Sequence, residues 1–213
     1  MRQSESQKTF LRQATTSYHQ AFAGSPAEAH MQGRGLGAAG NKFRLGYVNE
    51  PEVGHEMYRG FMAIPYLRWS PENGWAVVSI RFRCIKEHEH VGHGKYMTTA
   101  GDRPRLYNTL ALLKPSPVIA VTEGEIDAIT ATVCGVPAVG LPGSQAWQPH
   151  FREPFLGYKT VYVLADGDEA GHQFAATVAG TLPNAAVLPM PPGQDVNSFV
   201  LANGKEALLE RLK

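Results

Sequence analysis

Two aspartates separated by one glycine, Asp166 and Asp168, end the apolar run in "VYVLADGDEAGHQFAA", where their like charges repel. A second acid-glycine turn, Glu123 in "VTEGEIDA", and a third acidic step, Asp195 in "GQDVNSF", each follow an apolar run within a few residues. Carboxylates gathered in a partly buried crevice do not all stay ionised. One keeps a proton, or a divalent cation supplies the compensating charge. Oxygen-only ligands on short turns, with no His or Cys at ligand spacing, favour Mg2+ or Mn2+ over zinc. Magnesium held by a few carboxylates completes its shell with water and phosphate oxygens, which points to nucleotide or nucleic-acid phosphate chemistry. Alone, Asp-Gly-Asp also reads as a turn in which Asp168 caps a helix. The recurrence at Glu123 and Asp195 favours a site.

Such a site needs elements that bring distant turns to one place. From about Lys114-Pro115 onward, short apolar runs ("PVIAVTEG", "VPAVGLPGS", "TVYVLADGD", "AAVLPM") alternate with segments of helical spacing ("EIDAITATVCG", "EAGHQFAATVAGTL", "NGKEALLERLK"). That alternation predicts a parallel four-stranded sheet flanked by helices, an α/β fold. In such a sheet all carboxyl ends share one edge, so the acidic turns converge there. The preceding half has another rhythm. "KTFLRQATTSYHQAF" and "SPAEAHMQGRG" read as helices, and "FMAIPYL" and "WAVVSIRFRCI" as strands between Pro, Asn and Gly turns. The expected organisation is a smaller mixed α+β subdomain over 1–114 and the α/β domain over 115–213.

The 213 residues are 43% hydrophobic and 18% charged, the composition of an ordinary globular protein large enough for one sizeable domain or two small ones. No run approaches the ~18 apolar residues of a membrane span, and the polar start "MRQSESQKTF" lacks an apolar signal core. These features place the protein in the cytoplasm, with no membrane partner. Cys84 and Cys134, far apart and forming no CxxC pair, argue against a disulfide framework and exclude a four-cysteine zinc ribbon. The net charge of +1 hides a division: residues 1–115 carry 15 Lys+Arg against 9 Asp+Glu, and residues 116–213 carry 5 against 10. A basic half suits a polyanion and an acidic half suits cations.

"VTEGEIDAITA", "VLADGDEAGHQFA" and "MPPGQDVNSFVLANGKEALLERL" resemble the three signature blocks of the Toprim fold, and most closely those of DnaG-type primases, bacterial or bacteriophage. "VGLPGSQAW" occupies the place of a Leu-Gly-Thr-Ser turn in those proteins. More loosely, "HMQGRGLGAAGNKFRLGYV", "FMAIPYLRWSPENGWAVVSIRFRCI" and "GKYMTTAGDRPRLYN" are similar to the segments that precede their Toprim domain, so the resemblance covers about residues 25–212. It implies Glu123 as catalytic acid or metal-linked base and Asp166 and Asp168 as catalytic metal ligands. Asp195 and Asn197 would extend the metal and triphosphate site, and Asp127 would support it. Arg34, Arg81, Arg83 and Lys95 would line the groove for template and incoming nucleotide. Asn197 stands where many relatives have a second aspartate, which lowers the negative charge of the site.

The activity implied is a DNA primase catalytic core that makes short RNA primers from NTPs on single-stranded DNA with Mg2+ or Mn2+, in the cytoplasm of a bacterial host cell. No cysteine-rich zinc module or helicase module is visible, so a separate replicative helicase and a separate zinc-binding template-recognition protein are expected as partners. Two rivals use the same residues differently: a Toprim nuclease that cleaves a phosphodiester, and a non-catalytic DNA-binding replication accessory. Three other motifs carry less. "GLGAAG" fits GxGxxG but follows a helix-like stretch instead of a strand. "GHGKYMT" lacks P-loop spacing. "CIKEHEHVGH" groups Cys84, His88, His90 and His93, which could bind a transition metal if the loop folded around it, although polar loop composition explains it more simply.

Overall fold

A computed structural model describes residues 3–213, which form two compact units, one ending at Arg103 and the other Pro104–Lys213. The first unit opens with helix α1 (Glu5–Gln20), started by a capping box in which the Ser4 hydroxyl accepts from Gln7 N and the Gln7 side chain accepts from Ser4 N. Helices α2 (Pro26–Gly33), with Ser25 as cap and proline in its first turn, and α3 (Ala39–Phe43) follow. Strands β1 (Gly46–Tyr47), β2 (Met62–Ser70), β3 (Gly74–Arg83) and β4 (Tyr96–Thr98) make an antiparallel sheet in that order. Alternation along β3 turns Ile80 and Phe82 into a core shared with Tyr18, Tyr58 and Phe61, and Tyr58 stacks on Phe82 with ring centroids 3.9 Å apart.

The second unit is the expected parallel sheet. Strands β5 (Val118–Thr122), β6 (Ala138–Gly140), β7 (Thr160–Ala165) and β8 (Ala185–Pro189) lie in the order β6-β5-β7-β8, all parallel. Helices α4 (Glu125–Val133), α5 (Glu169–Ala179) and α6 (Val196–Glu210) complete it. The central strands are almost wholly apolar because both of their faces are covered: Ile119, Val121, Val161 and Val163 are fully buried in one core with Phe155 and Phe174. The chain leaves β5 toward β6 on one side and leaves β7 toward β8 on the other. The crevice between the carboxyl ends of β5 and β7 is therefore the switch point at which open α/β sheets bind ligands.

The division at Arg103/Pro104 precedes the boundary read from Lys114-Pro115. Residues 104–114 lack a strand pattern, yet Tyr107 exchanges backbone hydrogen bonds with Gly140 at the edge of β6 and Asn108 Nδ2 donates to the Ala138 carbonyl at 2.8 Å. "GLGAAG" runs from the end of α2 into α3 with no strand before it. No helix among the described residues is long and apolar enough to cross a membrane.

Candidate active site

Glu123, the Asp166–Asp168 pair and Asp195 come after strands β5, β7 and β8 in turn, whereas Asp127 lies in α4. Glu123 succeeds β5 directly, and its buried Oε1 accepts a hydrogen bond from the backbone N of Asp166 at 3.0 Å, tying the ends of β5 and β7 together. The turn after β7 is held from the far side by the loop that follows β8. Gly167 N donates to the Gln194 carbonyl at 2.8 Å, and Gly193 N donates to the Gly167 carbonyl at 2.9 Å. A Cβ on Gly167 would stand 1.9 Å from the Pro191 carbonyl oxygen, so only glycine permits this approach. The same loop delivers Asp195.

The acids differ in what already occupies them. Asp168 caps α5, with Oδ1 accepting from Gly171 N at 2.8 Å, so the helix-cap reading of Asp-Gly-Asp is realised for this residue. Asp195 caps α6 in a capping box, its Oδ1 accepting from Ser198 N at 2.6 Å. Asp127 Oδ1 accepts from the backbone N of Asn197 at 3.0 Å, and Asn197 Nδ2 donates to Thr130 Oγ1 at 3.1 Å. Both residues are buried, and the contacts dock α6 on α4. Asp166 is the exception: its Oδ1 is buried and has no hydrogen-bond partner.

Burial first, then the charges of Asp127, Glu123, Asp195 and Asp168, push the Asp166 carboxyl up to about 8. Burial also raises Glu123, helped by Asp168 and opposed by the hydrogen bond from Asp166 N. A buried carboxylate oxygen without a donor, with the charges of four further acids acting on it, leaves negative charge that a cation would compensate. Asp166, Asp168 and Glu123 offer oxygen donors only, which fits Mg2+ or Mn2+. Asp195 contributes charge to the same cluster.

The basic residues gather in the first unit. Arg81 and Arg83 project from the same face of β3, and their guanidinium carbons lie 4.6 and 4.8 Å from the centre of the Tyr96 ring on β4. Arg83 also donates to the Tyr96 hydroxyl. Arg34, at the end of α2, donates from Nε to His30 Nε2 at 3.2 Å. Burial, together with Arg83, Arg34 and Lys95, depresses His30 to about 4, so it is a neutral acceptor among cations at neutral pH. His30 and Tyr96 are the residues that motif reading passes over. The one signal for His30 is its position one helical turn before Arg34.

The description "Toprim-like" belongs to the family model that matches residues 120–200. The gene 57 protein of Mycobacterium phage D29 is 61% identical over 156 residues, 73% of this chain and 100% of that protein. A DNA primase of Pseudomonas putida is 32% identical over 102 residues, 44% of this chain, and the match spans 16% of that primase. A DnaG primase catalytic domain bound to single-stranded DNA superposes with a TM-score of 0.75 at 20% identity, covering 96% of this chain and 79% of that one.

Proposed function

We propose, from the premise that the chain belongs to the family of the phage D29 gene 57 protein and carries a Toprim domain within a DnaG-type primase catalytic-core fold, that it synthesises short RNA primers on single-stranded DNA. The observation that carries this reading is the acid cluster at the β5/β7 switch point, with the buried, unpartnered Oδ1 of Asp166 at its centre. Asp166 and Asp168, with Glu123, would hold Mg2+, which supplies charge neutralisation at the triphosphate and acidifies the attacking hydroxyl. Glu123 is fixed by the Asp166 backbone, and burial raises its basicity. It is the group suited to take the proton of the primer 3′-hydroxyl. Asp195 and Asp127 act at one remove: as the cap of α6 and the anchor between α4 and α6, they hold the loop that supports the Asp166 turn.

In this reading the basic first half holds the template and the second half does the chemistry. Arg34, Arg81 and Lys95 bind phosphates of single-stranded DNA and of incoming NTPs, contacts that need charge and not base identity. Arg83, expected from the sequence to line the same groove, is buried at 4% exposure against Tyr96 and supports the patch without a phosphate contact of its own. The test is synthesis by the full chain with Mg2+, NTPs and single-stranded DNA. The wild type yields short RNA, and Asp166→Ala lowers the yield by ~100-fold or more, the scale of losing several kcal/mol of transition-state charge stabilisation. Undiminished synthesis by the variant overturns the assignment. Shortened DNA without RNA product identifies a nuclease instead, and DNA binding without either product identifies an accessory protein.

A further inference from the structure

The loop between β3 and β4, "CIKEHEHVGHGK", has no regular structure and almost no apolar content to hold it, with Val91 largely exposed. It is nevertheless tied at both ends. Arg83 pairs with Tyr96 in the sheet, and Cys84 N donates to the Lys95 carbonyl at 2.9 Å. Within that closed base the chain turns back so that Cys84, His88, His90 and His93 each place one donor atom within 4.8 Å of all the others. The Cys84 sulfur is buried and lies 3.3 Å from His88 Nε2. The three imidazoles surround one point, with ring centroids 4.9, 5.1 and 5.2 Å apart.

Three histidines and a cysteine packed against one another need a reason. Imidazoles this close repel when protonated, and when neutral each still carries a lone pair free to bind a metal. His90 Nδ1 is buried without a hydrogen-bond partner. A polar loop of ordinary composition would spread these groups apart in water, and this one brings them together, with Cys84 buried, His90 and His93 half-buried and His88 exposed. Zinc bonded to nitrogen at about 2.0–2.1 Å and to thiolate at about 2.3 Å has tetrahedral edges of roughly 3.3 Å between nitrogens and 3.6 Å between sulfur and nitrogen. Closing the cluster from 4.8 Å to those edges takes about an ångström of side-chain motion in an otherwise unconstrained loop. His93 Nδ1 lies 3.1 Å from the Gly94 carbonyl, the kind of contact that fixes the tautomer of a ligating histidine.

We propose that Cys84, His88, His90 and His93 bind one Zn2+ tetrahedrally, at a structural site separate from the acid cluster. Four protein ligands close the coordination shell, so the ion staples the loop and has no open position for catalysis. The staple lies one residue beyond Arg83 and two before Lys95, so it fixes the backbone on which two of the cationic side chains are carried. Thiolate ligation also explains an isolated cysteine in a chain with no disulfide framework.

The test uses the full chain, stripped with chelator and reconstituted with Zn2+ in excess Mg2+ so that the carboxylates are already occupied. One zinc per chain is expected to survive gel filtration, read by elemental analysis. Replacement by Co2+ is expected to give the visible bands of a tetrahedral ion and a thiolate charge-transfer band. Cys84→Ser abolishes the charge-transfer band, whereas Cys134→Ser, at the buried cysteine of the other unit, leaves it intact. His88 is exposed, so His88→Ala leaves the packing undisturbed and should weaken zinc binding by more than about tenfold. Less than one retained zinc per two chains, or a cobalt spectrum and zinc affinity unchanged in both Cys84→Ser and His88→Ala, overturns the proposal.

Discussion

Asp166 stands apart from its neighbours because each of the other acids has a structural hydrogen bond to accept and its Oδ1 has none. Its carboxyl is pushed up to about 8, against about 3.9 for an aspartate in an unfolded chain. Between those values the folded chain keeps a proton that the unfolded chain has released. Folding stability therefore falls as pH rises through this window, and the loss is complete above about 8. Glu123 is shifted in the same direction and adds to the slope. In metal-free buffer, urea midpoints of the wild type should drop between pH 5 and 8. Asp166→Asn, which cannot ionise, should lose most of that dependence and gain on the wild type as pH rises. Added Mg2+ should stabilise the wild type more at pH 8 than at pH 6, because the ion competes with the proton for the same oxygens. Parallel pH profiles for wild type and variant would show that the cluster is too solvated to hold the proton.

At the scale of elements, the acids are placed by two close approaches, the Asp166–Asp168 turn against the loop after β8 and the start of α5 against that turn. A Cβ on Gly171 would lie 2.2 Å from the Asp166 carbonyl oxygen, within the backbone that carries the unpartnered carboxyl. Gly171→Ala should cost about 1–3 kcal/mol in urea unfolding, the range for forced overpacking, and lower primer synthesis by displacing Asp166. Gly157→Ala, where nothing lies within 4 Å, is the matched control and should stay within about 0.5 kcal/mol of wild type. Equal stability of the two variants would mean that the turn adjusts freely. The parallel strands were legible in the sequence because buried strands read as apolar runs between glycine turns, and Glu123, Asp166 and Asp195 because such runs end in acids. Other features depend on distant partners. α6 begins at Val196, before the expected "NGKEALLERLK", and spans Gly204, whose φ of 82 breaks the helical path. The two-residue β1 and three-residue β4 are set by pairing with their neighbours and not by their own composition. Cys84, His88, His90 and His93 were legible as a set within one loop, but that they turn toward one another depends on the pinned base of the β3–β4 loop, which the sequence does not show.

Over the whole molecule the near-zero net charge conceals a basic half and an acidic half, and this partition makes a quantitative demand on DNA binding. If phosphates are held by Arg34, Arg81 and Lys95, each contact releases counterions, and affinity for single-stranded DNA falls with salt by a logarithmic slope of about 0.7 per phosphate. Arg81 is half-buried against the Tyr96 ring and Lys95 is exposed at the start of β4, so either is removable without opening the core. Arg81→Ala and Lys95→Ala should each reduce the slope by about 0.7 and weaken binding to homopolymers of different base to a similar degree, because phosphate contacts carry no sequence information. Lys159→Ala, which removes an exposed cation from the acidic half, should leave the slope unchanged. Fluorescence anisotropy of a labelled oligonucleotide across a salt series measures all three. Equal losses from Lys159→Ala and Lys95→Ala would show that the molecule binds DNA through diffuse charge, and the assignment of the template to the basic patch would then fail.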